Sequence, residues 1–173
     1  VGDEHVCALD DTGVRCWGGC GSNKCNPPAL SNPRELVGGP TDSCAIDDSG
    51  IKCWGRSSDT ILMPPLLAKS GTSTPSKIRA ISLGLKHLCA IDENGVNCWG
   101  ADSYGQVSGY ATNGTRALAV GLTHSCAIDN DGSVKCWGDT SRDQLAVSGI
   151  KPTTLAATFV KTCALAGSAV HCW

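Results

Sequence analysis

One sentence of sequence, Cys-Ala-Ile-Asp followed by a short turn and then Cys-Trp-Gly, is written five times with small changes, and no other feature limits the fold as much. The copies run Cys7 to Trp17, Cys44 to Trp54, Cys89 to Trp99, Cys126 to Trp137 and Cys163 to Trp173. Eight residues separate the paired cysteines in four copies; only Cys126 and Cys136 have nine between them. Folding Cys7 to Cys16 back about Asp10-Asp11-Thr12-Gly13 sets Leu9 opposite Val14, Ala8 opposite Arg15 and Cys7 opposite Cys16 in an antiparallel pair. Cysteines so opposed can bridge. Because side chains alternate along a strand, Cys7, Leu9, Val14 and Cys16 share one face, and Ala8, Arg15 and Trp17 share the other. In the Cys126 copy, a turn from Asp129 to Ser133 absorbs the extra residue and keeps Ile128 opposite Val134.

Four turns open on Asp and end on Gly (Asp10/Gly13, Asp47/Gly50, Asp92/Gly95, Asp129/Gly132), the pattern of a side chain capping its own turn ahead of a positive-φ residue. The fifth copy lacks the Asp. A calcium loop would need a bidentate Glu downstream, and none is present.

Twelve cysteines, an even number in a 173-residue chain, point to an oxidising compartment. Zinc would call for Cys-x-x-Cys or Cys/His spacing, whereas these cysteines oppose each other across hairpins. The expected bridges are Cys7–Cys16, Cys20–Cys25, Cys44–Cys53, Cys89–Cys98, Cys126–Cys136 and Cys163–Cys172, with no metal or cofactor. A net charge of −2 without a basic stripe gives no electrostatic footprint for nucleic acid. No apolar run is long enough to span a membrane and no signal segment is read at Val1, so an extracellular or cell-surface location is expected from the cysteines alone.

With 21 glycines, one Phe and no helical periodicity, the chain reads as all-β. First cysteines recur at spacings of 37, 45, 37 and 37, so an eight-residue insertion falls between Arg56 and Ser82. Strand-like stretches near Val37, Ile81, Val120 and Leu155 precede four of the five hairpins; the first hairpin has none. Units of about three short strands cannot bury their faces alone and must stack on neighbours. Radial stacking into a small β-propeller of about five repeats fits best, as one domain over 1–173 with approximate repeats 1–37, 38–82, 83–119, 120–157 and 158–173, within a larger protein. Asn113-Gly114-Thr115 matches a glycosylation acceptor.

The motif Gly-x-x-His-x-Cys-Ala-Ile-Asp-x-x-Gly-x-x-Cys-Trp-Gly, followed in the third copy by Tyr104-Gly105-Gln106, resembles the repeats of the regulator-of-chromosome-condensation family in their short, cysteine-bearing, secreted form. The resemblance implies a β-propeller. It extends to the propeller-type β-lactamase inhibitor protein and the extracellular propellers of plant crinkly-type receptor kinases. No catalytic residue carries over, because what matches is the skeleton of the repeat.

His5, His87 and His124 recur at one position, which suits a structural hydrogen bond better than catalysis, and the five tryptophans suit packing between blades better than glycan stacking. Function is expected where the copies differ: the Cys20–Cys25 loop, the Met63-Pro64-Pro65 insertion and the Tyr104 to Arg116 segment. Lys24, Met63, Tyr104 and Tyr110 are therefore the candidate ligand-binding residues of a non-enzymatic recognition or adhesion module for a protein or cell-surface glycan. The alternatives are a secreted enzyme inhibitor and a multivalent lectin.

Overall fold

A computed structural model describes residues 2, 4–56, 78–93, 95–109, 114–139, 141 and 149–173. Strands β1 (His5–Asp10) and β2 (Gly13–Gly18) form a two-stranded sheet. Four three-stranded sheets follow: β3 (Glu35–Gly38), β4 (Asp42–Asp47) and β5 (Gly50–Gly55); β6 (Ala80–Leu83), β7 (His87–Asp92) and β8 (Gly95–Gly100); β9 (Thr115–Val120), β10 (His124–Asp129) and β11 (Val134–Gly138); β12 (Thr154–Ala157), β13 (Thr162–Ala166) and β14 (Ala169–Cys172). Within each sheet, neighbours in sequence pair antiparallel. The first strands of successive sheets lie side by side, β3 by β6, β6 by β9 and β9 by β12, and β1 lies by β3. The sheets are the blades of a β-propeller, and among the described residues the first blade lacks the inner strand that the other four have.

Each hairpin takes the register its cysteine spacing dictates, with Cys7 opposite Cys16 and Ile128 opposite Val134. Six disulfides join the opposed pairs, Cys7–Cys16, Cys20–Cys25, Cys44–Cys53, Cys89–Cys98, Cys126–Cys136 and Cys163–Cys172, and no cysteine is free. Closing a loop of this length contributes on the order of 2–3 kcal/mol per bridge. The turn caps form through Asp10, which accepts from the Thr12 N–H at 2.7 Å, and Asp47, which accepts from the Ser49 N–H at 2.7 Å. Asp47 is buried; although burial alone would raise its pKa, bonds from Ser49, Ser31 and Lys52 hold the carboxyl well below the usual range. The longer fourth turn differs from the expectation. There Asp131 accepts from the Ser133 N–H, while Asp129 turns to Thr115 and Lys135, because the extra residue moves the reversal one position on.

The core lies between blades. Cys44, Ile46 and the half-buried Ile51 and Cys53 of the second blade pack with Leu88, Ala90 and Trp99 of the third. One blade on, Cys89, Val96 and Cys98 pack with Ala127 and Trp137. A disulfide face therefore meets a tryptophan face at each of these junctions. Trp54, Trp99 and Trp137 are 5 %, 8 % and 5 % exposed, so the tryptophan is core in these three blades.

Candidate functional site

Two of the segments that vary in sequence, the Cys20–Cys25 loop and the Tyr104 loop, share one structural task. The indole N–H of Trp54 donates to the Lys24 carbonyl at 3.1 Å, and that of Trp137 donates to the Gln106 carbonyl at 2.9 Å. Lys24 and Gln106 each stand seven residues after a tryptophan, Trp17 and Trp99. A chain leaving one blade thus reaches across and pins the tryptophan of the next. The residues in the same relation to Trp54 and Trp137 are Ile61 and Gln144, which lie outside the described residues.

This task decides the place of Lys24. Its side chain is buried and forms a 2.8 Å ion pair with Glu4, inside the loop closed by Cys20–Cys25. The hydrogen bond and charge of Lys24 hold the Glu4 carboxyl below its usual pKa. The disulfide and the ion pair do for this loop what Asp102 and Gln106 do for the next one described.

Tyr104, by contrast, is 55 % exposed on a loop fixed from both sides. The Asp102 carboxylate accepts from the N–H groups of Val107 (2.7 Å) and Ser108 (3.2 Å), the Gln106 side chain accepts from the Tyr104 N–H at 2.8 Å, and Gly109 N–H closes onto the Gly105 carbonyl at 3.1 Å. The bonds from Ser108 and Val107 lower the Asp102 pKa. An aromatic ring held in water on an ordered backbone loses little entropy on binding. Met63 and Tyr110 lie outside the described residues, as do Asn113 and the Met63-Pro64-Pro65 segment.

The register also says where Tyr104 stands. Gly100, the last residue of β8, pairs with His87, the first of β7, so the chain leaves β8 beside the Gly84–His87 turn. Turns of this kind, with the first N–H bonded to the fourth carbonyl, recur at Gly2–His5, Gly39–Asp42, Gly84–His87, Gly121–His124 and Thr158–Lys161. They gather around a cavity of about 260 Å³ on the propeller axis, lined by residues of all five repeats, among them Pro40, Leu85, Val120 and Phe159. At Gly121 a glycine is required because successive turns touch: a Cβ there would overlap the His124 imidazole and approach the Thr158 carbonyl to 2.8 Å. The Tyr104 loop and the axial mouth share one end of the propeller.

The histidines lie deeper. His5 Nε2 is hydrogen-bonded to Ser43 Oγ at 2.9 Å, His87 to Ser125 at 2.8 Å and His124 to Thr162 at 2.9 Å, each partner belonging to the next blade. The same hydroxyls stand 3.5 to 3.7 Å from a disulfide sulfur of the preceding blade. A serine hydroxyl 2.8 Å from an imidazole is the spacing of a nucleophile and its base. Here, however, both partners are at most 1 % exposed at all three places, so no substrate reaches them. The Nδ1 atoms of His87 and His124, where a catalytic pair would have an orienting carboxylate, are buried and unpartnered among the described residues. Ser125 Oγ also faces the Gln106 carbonyl at 3.3 Å; donating there, it takes its shared proton from His87 Nε2. The array bolts blades together. The sequence signal for it was present: a Ser or Thr precedes the cysteine of the following repeat wherever a His stands in the preceding one.

Among the described residues, no group of three or more His, Cys, Asp or Glu side chains is arranged to hold a metal. Among the described residues, no helix is long and apolar enough to cross a membrane.

A family model, the regulator of chromosome condensation (RCC1) repeat, matches residues 78–106 and 116–144. No curated protein sequence matches the chain significantly. Among solved structures, the chain is similar over its full length to the CRINKLY WD40 ectodomain of the Arabidopsis thaliana receptor kinase ACR4, at 27 % identity and a TM-score of 0.77, covering 61 % of that chain. It is similar over 99 % of its length to the ectodomain of the Physcomitrella patens receptor kinase CR4, at 22 % identity and a TM-score of 0.79, covering 50 % of that chain. Prp20p of Saccharomyces cerevisiae, studied for its binding to Gsp1p and histones, aligns at 18 % identity over 99 % of this chain and 56 % of its own, with a TM-score of 0.77. The chain therefore spans half to three fifths of the length of these structures.

Proposed function

From the premise that the chain is a disulfide-bearing propeller of regulator-of-chromosome-condensation repeats, we propose that it is a non-enzymatic extracellular recognition module, binding a protein or cell-surface ligand at the end of the propeller that carries the Tyr104 loop and the axial mouth. The observation that carries this reading is Tyr104: a large aromatic side chain, half in water, on a loop whose backbone is tied down by Asp102 and Gln106. Rigid exposed aromatics beside apolar surface are where proteins anchor one another. Phe159, 46 % exposed, adds a second ring to the same end through the axial cavity lining. Six disulfides and the likeness to a receptor ectodomain support the extracellular location. Met63 and Tyr110 are proposed as further contacts from their sequence segments.

A multivalent lectin would stack sugars on an aromatic at each junction, yet the tryptophans that recur at the junctions are buried at Trp54, Trp99 and Trp137. One asymmetric face fits the chain better. The test is to display wild-type chain and the Tyr104→Ala variant against an array of extracellular proteins and a glycan array. A specific ligand should lose about 1 kcal/mol or more with Tyr104→Ala, about fivefold or more in Kd. The Ser103→Ala variant on the same loop should bind as wild type. Unchanged binding by Tyr104→Ala, or equal contributions from each repeat to a glycan, would overturn the reading.

A further inference from the structure

The Cys20–Cys25 bridge differs in kind from the other five. Those join opposed strands of a hairpin at sequence separations of 9 or 10, whereas Cys20–Cys25 closes a loop at a separation of 5. Its place in the repeat identifies its task. Cys20 and Cys25 stand three and eight residues after Trp17, as Asp102 and Val107 stand three and eight after Trp99. In the later loop the Asp102 carboxylate accepts from the Val107 N–H at 2.7 Å. A covalent bond in one loop thus ties the same two positions that a hydrogen bond ties in the other. The backbones agree: Asn23 and Gly105, each six residues after its tryptophan, take positive φ of 60° and 73°. The next residues, Lys24 and Gln106, are buried and hand their carbonyls to Trp54 and Trp137.

The covalent clip is open to attack. Cys20 is exposed and Cys25 half-buried. That exposure belongs to the loop position, because Asp102 and Val107, in a blade with neighbours on both sides, are exposed and half-buried in the same way. Cys44, Cys89 and Cys126 of the hairpin bridges are fully buried. The short loop also constrains the unfolded chain least, so folding favours this bridge least over its open form. The other ties in the loop are weak. The Asn26 N–H donates to the Asn23 carbonyl at 3.1 Å, the Lys24 N–H reaches the Gly21 carbonyl at 3.4 Å, and the Lys24–Glu4 ion pair ends on a Glu4 side chain that is 68 % exposed, where water weakens it.

We infer that Cys20–Cys25 is a reducible clip: exchange with a dithiol opens the loop and withdraws the Lys24 carbonyl from Trp54, loosening the first blade from the second while the hairpin bridges stay closed. A thiolate of the dithiol attacks the exposed Cys20 Sγ, forms a mixed disulfide and expels Cys25 Sγ, which takes up a proton. The second thiolate of the dithiol then displaces Cys20 Sγ, which is protonated in turn, and closes the reductant's own disulfide. Two electrons and two protons pass from the dithiol to the two cysteines.

The experiment treats the chain with dithiothreitol, labels new thiols with iodoacetamide at intervals and maps them by mass spectrometry. Cys20 and Cys25 should be labelled about tenfold or more faster than the cysteines of Cys44–Cys53, Cys89–Cys98 and Cys126–Cys136. Hydrogen–deuterium exchange on the protein opened at this one bridge should rise in peptides covering 19–26 and Trp54 and stay unchanged over 101–108. Oxidised glutathione should restore the first pattern. The double variant Cys20→Asp/Cys25→Val, which copies the Asp102–Val107 tie, should protect Trp54 as the wild type does and ignore the reductant. Cys20→Ser/Cys25→Ser should show the opened pattern without any reductant. Labelling of the three buried bridges as fast as Cys20 and Cys25, or unchanged protection at Trp54 once Cys20–Cys25 is open, would overturn the proposal.

Discussion

Replacing Trp137 by alanine should lower the stability of the fold by about 3–5 kcal/mol, while the same change at Trp17 should cost well under 1 kcal/mol, although both tryptophans follow the second cysteine of a repeat. Trp137 packs with Cys89, Val96 and Cys98 of the third blade and with Val120 and Ala127 of its own. Its indole N–H also donates to the Gln106 carbonyl. Truncation therefore opens a cavity between two blades and leaves a buried carbonyl without its donor. Trp17 is half in water and covers nothing comparable in a single chain. Urea unfolding of the two variants at low protein concentration, with disulfides intact, measures both. Equal losses would mean that the tryptophans do not act at blade junctions.

The same contrast shows what the sequence carried. Strand pairing, register and disulfides were legible because a hairpin is local: eight residues between cysteines admit one antiparallel register, and the alternation of Leu9 and Val14 with Ala8 and Trp17 fixes its faces. The missing first strand was legible too, as a count of strand-like stretches against hairpins. The radial order of blades came from the repeat period.

Lys24 shows where that reading ended. Standing in a segment without counterpart, it read as a loop residue free to bind, yet its backbone oxygen holds Trp54 and its ammonium is turned onto Glu4. The Cys20–Cys25 loop and the Tyr104-Gly105-Gln106 loop differ in every residue and still deliver a carbonyl to one place. Sequence comparison between copies sees side chains, and here the conserved interaction uses the main chain. The fixed distance of seven residues from the preceding tryptophan is the trace it leaves. Tyr104 differs because the structural work of its loop falls to Asp102 and Gln106.

Stability should fall steeply between pH 6.5 and pH 4, before most carboxylates titrate. His87 is buried, and burial first, with the neighbouring His124 second, depresses its pKa to about 4, against the opposing effects of a backbone hydrogen bond at His124 and then of the Asp102 charge. Burial likewise lowers the His124 pKa, opposed by Asp139. An imidazole whose folded pKa lies below its unfolded value of 6.5 binds protons more readily in the unfolded chain, so its contribution is complete above pH 6.5 and is lost as pH falls towards the folded pKa. For His87 that window is about 2.5 units wide, on the order of 3 kcal/mol. Glu35, half-buried and raised by burial, works in the opposite direction over part of the range, while Asp10, Asp47, Asp102 and Asp131 are held low and act below it. The bolt between the third and fourth blades would open first, since a protonated His87 is a buried charge whose Nδ1–H has no acceptor among the described residues. Denaturant midpoints measured from pH 7.5 to pH 4.5 should therefore drop continuously. His87→Gln, which keeps a donor for Ser125 but does not titrate, should be less stable at pH 7.5 and lose less on acidification. A profile as steep in His87→Gln as in the wild type would show that the imidazole of His87 is not the group that senses the acid.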